Sequence, residues 1–293
     1  MAAFPSAVSA PPKTALEQFN LEALHYEGFV AGCTREVAEQ VVSDLLPGIN
    51  PDSVILDNAC GTGIVIDVLL KELAATPSGD LTAKSTSIHG VDGALNMISF
   101  AEGRFAGHEN IKIAMMPGES LEFADATFTH SITNLGLLFF ADAPKGAREI
   151  YRTLKPGGIA VVTGWEDFGH VRAVRNAQQA IRPEDTPFDF PLAKKWFDPE
   201  HTRTLLRESG FEDVRMESFV SHWSADTRDG LVDALLKYFG RMCFDAWSDE
   251  ERAKARTWFS QNLDESVAVP YTRRDGSRAV GLEMKASIAI AYK

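Results

Sequence analysis

The chain has 293 residues, enough for one large core or a core with a helical elaboration. Lys and Arg total 29 against 41 Asp and Glu, and the net charge of −12 excludes an overall attraction to nucleic-acid phosphates or anionic lipid. Three separated cysteines, Cys33, Cys60 and Cys243, argue against a disulfide framework and for a reducing, cytoplasmic setting.

Residues 1–14 are rich in Ala, Ser and Pro without a basic start or a sustained apolar stretch, and read as a loose leader. From 15 to 48, Leu21, Leu24, Phe29, Val37, Val41 and Leu45 recur at helical intervals until Pro47-Gly48. A core over 49–166 follows: a strand Ser53–Asp57, a helix Ile64–Leu73 and a polar loop over 75–85. A strand Ser87–Asp92, a helix Ala94–Phe105, and strands Ile111–Met115 and Phe128–Asn134 come next. A helix from about Pro144 ends at Lys155-Pro-Gly-Gly158, and the fifth strand is Ile159–Thr163. Strands alternating with helices imply a doubly wound α/β sheet.

The remainder reads differently. Helices over 167–210 form a cap, and 211–293 holds two last strands, Phe211–Trp223 and Leu282–Tyr292, around a helical insertion at about 226–275. The cap segments are dense in aromatic residues, among them Phe168, Trp196, Trp223, Phe239, Trp247 and Trp258. Part of that set is expected to pack helices and part to line an apolar pocket for a small-molecule substrate. No segment reaches the ~20 apolar residues of a membrane span. No metal-ligand spacing occurs, and Lys194-Lys195 and Arg273-Arg274 read as solvated surface, so neither metal, membrane nor nucleic acid is expected.

Val54 to Asp67 carries the most information: an apolar strand ends at Asp57, a Gly-x-Gly turn follows at Gly61 and Gly63, and a helix begins at Ile64. Such a turn needs glycine where the backbone bends against a ligand. A dinucleotide fingerprint wants a third glycine, and Ile66 stands there. Asp57 beside the turn would repel a pyrophosphate but attract a cationic, amino-acid-bearing cofactor, and Asp92 at the end of the second strand suits ribose hydroxyls. That pattern favours S-adenosylmethionine. The blander alternatives are that Asp57 merely caps the turn, that Asp92 caps the next helix, that Tyr26 and Met97 pack the core, and that Cys60 is a small buried filler.

Leu56-Asp-Asn-Ala-Cys-Gly-Thr-Gly63, Val91-Asp-Gly-Ala-Leu-Asn-Met97, Leu121-Glu-Phe-Ala-Asp-Ala-Thr-Phe128 and Leu154-Lys-Pro-Gly-Gly158 resemble the ordered motifs of class I S-adenosylmethionine-dependent methyltransferases. The Asp-Asn-Ala-Cys-Gly form, His25-Tyr-Glu-Gly28 and the cap are most similar to fungal small-molecule methyltransferases of the gliotoxin bis-thiomethyltransferase type. The resemblance implies a seven-stranded Rossmann-like sheet with N-terminal helices and a helical cap, and S-adenosylhomocysteine as product. It implies that Asp57, Ala59, Gly61 and Gly63 surround the methionine part, that Asp92 holds the ribose, that Gly93 and Met97 flank the adenine, and that Gly118 also belongs to the cofactor site. An acid often found two residues before Glu119 is Pro117 here, which leaves Glu119 or a backbone carbonyl for the adenine amino group. Asn134 should border cofactor and substrate, and Tyr26 and Thr34 match positions where an N-terminal helix closes over the cofactor. The chain is expected as a monomer or homodimer.

A thiol or amine acceptor needs modest help, whereas a phenol or alcohol wants a base near pKa ~7. His25, His170 and His222 are the candidates. Three other readings compete: methylation of nucleic acid, methylation of protein, and a non-methylating S-adenosylmethionine-binding scaffold. Base-amine methylation commonly uses Asn or Asp followed by Pro-Pro and an aromatic, and here the segment is Asn134-Leu-Gly-Leu.

Overall fold

The computed structural model describes residues 14–46, 48–75, 85–244, 246–264 and 267–293. The expected leader up to residue 13, Pro47, and all but the ends of the polar loop over 75–85 lie outside the described residues.

Short apolar runs become the inner strands, β1 (Val54–Asn58), β2 (Ser87–Asp92) and β4 (Phe128–Thr133), while the half-buried β3 (Ile111–Met115) takes an edge. With β5 (Leu154–Phe168), β6 (Asp213–Ala225), β7 (Ala268–Thr272) and β8 (Arg278–Tyr292) they form one sheet. Its order is β3-β2-β1-β4-β5-β8-β6, with the first five strands parallel and β8 antiparallel to both neighbours. The chain moves outward from β1 to β3 and then returns to the other side at β4. A crevice therefore opens beyond the carboxyl ends of β1 and β4, where open α/β sheets bind ligands.

Among the described residues seven strands make that path, and an eighth, β7, pairs with the first residues of β8. Sequence reading placed this segment in the helical insertion. Pro270 argues against a central strand but is tolerated at an edge, and Asp275-Gly276 closes the hairpin with Gly276 at φ +86°. β8 consequently starts at Arg278 rather than Leu282. β5 also begins earlier than expected, at Leu154: Lys155-Pro-Gly-Gly158 bulges within the strand instead of preceding it, and the Gly157 amide donates to the Lys293 carbonyl at 2.7 Å.

Helices cover both faces. α3 (Cys33–Gln40) and α4 (Ile64–Ala75) pack Ala38, Ile66 and Leu69 on Ile55 and Ile132. On the other face α6 (Ala143–Thr153) and α8 (Pro199–Glu208) pack Ala147, Ile150 and Leu206 on Leu56 and Val162. Asp142 and Asp198 accept N-capping bonds from Lys145 and Glu200, each with proline in the first turn. The cap comprises α7 (Gly169–Ile181), α9 (Arg228–Tyr238), α10 (Gly240–Cys243) and α11 (Asp249–Asn262), built on the far ends of β6 and β8. Two short helices, α1 (Ala15–Glu22) and α2 (Tyr26–Phe29), precede α3, and α5 (Leu95–Arg104) follows β2.

Among the described residues no helix is long and apolar enough to cross a membrane.

Candidate cofactor and acceptor site

β1 carries Asp57 to the rim of the crevice, and the chain then turns through three left-handed residues, Ala59 (φ +64°), Gly61 (φ +54°) and Gly63 (φ +86°). The two glycines serve different ends. A Cβ on Gly61 meets nothing within 4 Å, so that glycine borders open space, whereas a Cβ on Gly63 collides with the Phe105 ring. Gly63 brings α5 close to the turn; Gly61 keeps the cavity clear.

Asp92 fastens the turn. Its two oxygens accept from the Gly61 amide at 2.9 Å and the Ala94 amide at 2.8 Å, so the same carboxylate holds the glycine turn and the entry to α5. Burial raises its pKa, and the amide bonds oppose the rise.

A cavity of ≈ 430 Å³ lies above, within the roughly 300–1,000 Å³ of small-ligand sites. Of the residues expected at a cofactor, Tyr26, Ala59, Gly61, Asp92, Gly93, Met97, Gly118, Glu119 and Asn134 line it, whereas Thr34, Asp57 and Gly63 do not. Thr34 stands behind Asn134, its carbonyl accepting from Asn134 Nδ2 at 3.2 Å. Asn134 Oδ1 accepts from the Thr163 hydroxyl at 2.9 Å, and Thr163 Oγ1 in turn accepts from the Leu135 amide at 2.8 Å. That brace holds Leu135 at φ +56°, a left-handed conformation uncommon for a leucine and frequent at ligand sites. Gly136 follows, and a Cβ there would stand 2.5 Å from the Ala59 side chain.

Asp57, on β1 just before the turn, is 0% exposed, with neither carboxylate oxygen hydrogen bonded among the described residues. Burial first, and then repulsion from Asp92, push its pKa well above the ordinary carboxylate value. An orphaned buried acid needs a partner. A cationic amino-acid end lying on the turn would offset its charge from the cavity side, where the clear space at Gly61 leaves room. The residues fit S-adenosylmethionine, and Asp92 lines the same cavity.

The three histidines advanced as bases are not brought to this cavity. His25 is exposed on a short turn, Ala23–His25. His170 is buried among Phe168, Trp223 and Phe239, which pushes its pKa down to about 3. His222 pairs with Glu36 at 3.0 Å and stacks on Tyr271 at 3.9 Å. The cap aromatics also pack with one another. The cavity takes its apolar wall instead from Leu16 and Phe19 of α1 and from Phe139 and Phe140 beyond β4, with Phe19 and Phe139 edge to face at 5.0 Å. Phe140 fits where side chains on Gly118 and Gly146 would collide with it. Sequence reasoning missed these four residues; the available signal was an apolar run broken by Gly136 at the carboxyl end of a strand.

Among the described residues no group of three or more His, Cys, Asp or Glu side chains is arranged to hold a metal ion. Asp92→Ala is expected to weaken S-adenosylmethionine binding by about 1.5–3 kcal/mol, the range for hydrogen bonds to a charged group. Calorimetry checks this, and an unchanged affinity rejects Asp92 as a cofactor ligand.

Residues 56–162 match the family model of a methyltransferase domain. The chain is 27% identical over 252 residues to an acetylaranotin bis-thiomethyltransferase of Aspergillus terreus, covering 82% of each. A ubiquinone/menaquinone biosynthesis C-methyltransferase of Geotalea daltonii is 38% identical over 117 residues, 38% of this chain and 45% of that protein. Among solved structures, the [4+2]-cyclase SpnF superposes with a TM-score of 0.52 at 15% identity, covering 97% of this chain and 98% of that one. A Thermotoga maritima S-adenosylmethionine-dependent methyltransferase, described as a possible histamine N-methyltransferase, superposes with a TM-score of 0.50 at 17% identity, covering 94% of this chain and 98% of that one.

Proposed function

Since the chain is a class I S-adenosylmethionine-dependent methyltransferase, we propose that it methylates a thiol sulfur on a small, apolar metabolite. The observation that carries the proposal is one continuous cavity. Gly61, Asp92 and Met97 line its cofactor side, and Leu16, Phe19, Phe139 and Phe140 line the rest. An apolar acceptor bound there lies against the cofactor, in the water-poor setting that methyl transfer favours.

When bound, the cofactor supplies a methyl group already activated on a sulfonium. The chain's residues bind, align and dehydrate. Among the described residues lining the cavity the ionisable groups are Tyr26, Asp92 and Glu119. Burial, with Cys33, Asp92 and Glu27 nearby, pushes the Tyr26 phenol up, so it stays protonated at neutral pH. Asp92 is committed to two backbone amides, and Glu119, beside Gly118, is the acid left for the adenine amino group. This wall suits an acceptor that gives up its own proton, and a thiol with pKa ~8.5 does so more readily than a phenol at ~10. The bis-thiomethyltransferase relative, matched over 82% of this chain, supports the same choice. The C-methyltransferase match covers 38% of the chain and supports the donor more than the acceptor. The net charge of −12 favours a small molecule over nucleic acid, and the separated free cysteines suit a reducing, cytoplasmic setting.

The test is the pH dependence of kcat/KM for a series of small aryl thiols of different acidity. The inflection is expected to follow each thiol's own pKa. Failure to turn over any of the thiols overturns the proposal, whereas an inflection fixed at one value across the series, with S-adenosylmethionine saturating, assigns the base to the protein.

A further inference from the structure

α2 is one turn long, and each of its four residues meets a different part of the molecule. Tyr26 lines the cavity. Gly28 lies against the Tyr238 hydroxyl of α9, and the Phe29 carbonyl accepts from Trp223 Nε1 of β6 at 2.8 Å. Between them, Glu27 Oε1 accepts from the Thr62 hydroxyl at 3.0 Å and from the Arg104 guanidinium, while Arg104 Nη1 donates to the Thr62 carbonyl at 3.0 Å. Thr62 is the residue between Gly61 and Gly63.

We propose that Glu27 is a positioning residue for cofactor binding, holding the Tyr26 wall on one side and the Gly61-Thr62-Gly63 turn on the other in a single hydrogen-bonded unit. The rest of α2 is pinned to the cap and the sheet edge through Gly28 and Phe29, so losing Glu27 frees the cavity side of the turn without releasing the helix. Arg104 bonds both Glu27 and the Thr62 carbonyl, which makes the acid, the base and the turn a closed ring of contacts. Arg35 adds to this cluster by bridging Asp67 of α4 at 2.7 Å and approaching Glu27 at 3.8 Å. A surface ion cluster with no bearing on the ligand is the alternative, since Glu27 is 37% exposed.

The inference rests on reading the cavity as the cofactor site, and the experiment separates the two. Affinity for S-adenosylhomocysteine and Tm are measured for wild type, Glu27→Ala, Glu27→Gln, Thr62→Val and the Glu27→Ala/Thr62→Val pair. Glu27→Ala is expected to raise Kd about tenfold and KM for S-adenosylmethionine with it, while kcat at saturation changes far less. Glu27→Gln keeps the acceptor oxygen and should recover most of the affinity. The paired variant should bind no worse than Glu27→Ala alone, because both changes remove one interaction. A wild type that binds no S-adenosylhomocysteine refutes the cofactor site itself. Wild-type binding with unchanged Kd in Glu27→Ala, whatever its Tm, refutes the positioning role; should that variant not fold, Thr62→Val with unchanged Kd refutes it instead.

Discussion

Replacing Gly61 by valine is expected to abolish S-adenosylmethionine binding while the chain still folds. Nothing lies within 4 Å of the position a Cβ would take, so the protein accommodates the new side chain, but only by filling the space the cofactor needs. The backbone there is left-handed at φ +54°, where a β-branched residue costs about 1–2 kcal/mol, well within the stability of an ordinary domain. Affinity should fall more than about 100-fold, or about 2.7 kcal/mol. Calorimetry with S-adenosylmethionine measures the loss, and circular dichroism shows that the variant is folded. A folded valine variant with wild-type affinity removes the turn from the site.

The second large effect is at Asp57. Asp57→Asn removes a buried acid without a protein partner, so cofactor affinity should fall by about 2–5 kcal/mol while the ligand-free protein becomes more stable at neutral pH. The pH dependence follows from the direction of the shift. The folded-state pKa is raised above the unfolded value of ~3.9, so the stability it contributes is complete below that value and is lost as pH rises through the raised one. Tm of the ligand-free wild type should therefore fall relative to Asp57→Asn across that window. A cationic ligand favours the ionised acid, so affinity should rise with pH over the same window and binding should release a proton. Titrations in two buffers of different ionisation enthalpy read that proton; equal apparent enthalpies there, with Asp57→Asn binding as tightly as wild type, reject the carboxylate's role.

The strands and the donor site were legible because both are encoded locally. The apolar run ending at Asp57, the glycines after it and the acid ending β2 lie within short stretches whose chemistry does not depend on distant contacts. The two glycines looked alike in sequence, and only the approach of Phe105 separates a packing glycine at 63 from a ligand-facing one at 61. The cavity's apolar wall was not legible for a similar reason. Leu16 and Phe19 sit on α1, which has no residue buried in the core, and they face Phe139 and Phe140 from the other side of the cavity. No sequence period signals that pairing. The cap's aromatic density pointed toward a pocket because composition cannot distinguish rings that pack on one another, as Phe168, His170, Trp223 and Phe239 do, from rings that face a ligand. Sequence also named His170 and His222 as bases without showing that one is enclosed by rings and the other bonded to Glu36.

The most direct test of the account follows the methyl group itself. The protein is incubated with S-adenosylmethionine labelled at the methyl carbon and a small apolar aryl thiol, and the products are resolved by mass spectrometry. The label is expected on the acceptor sulfur, with one S-adenosylhomocysteine formed for each methylated product. Label that stays on the cofactor, or that reaches a carbon of the aryl ring instead of the sulfur, rules out sulfur methylation.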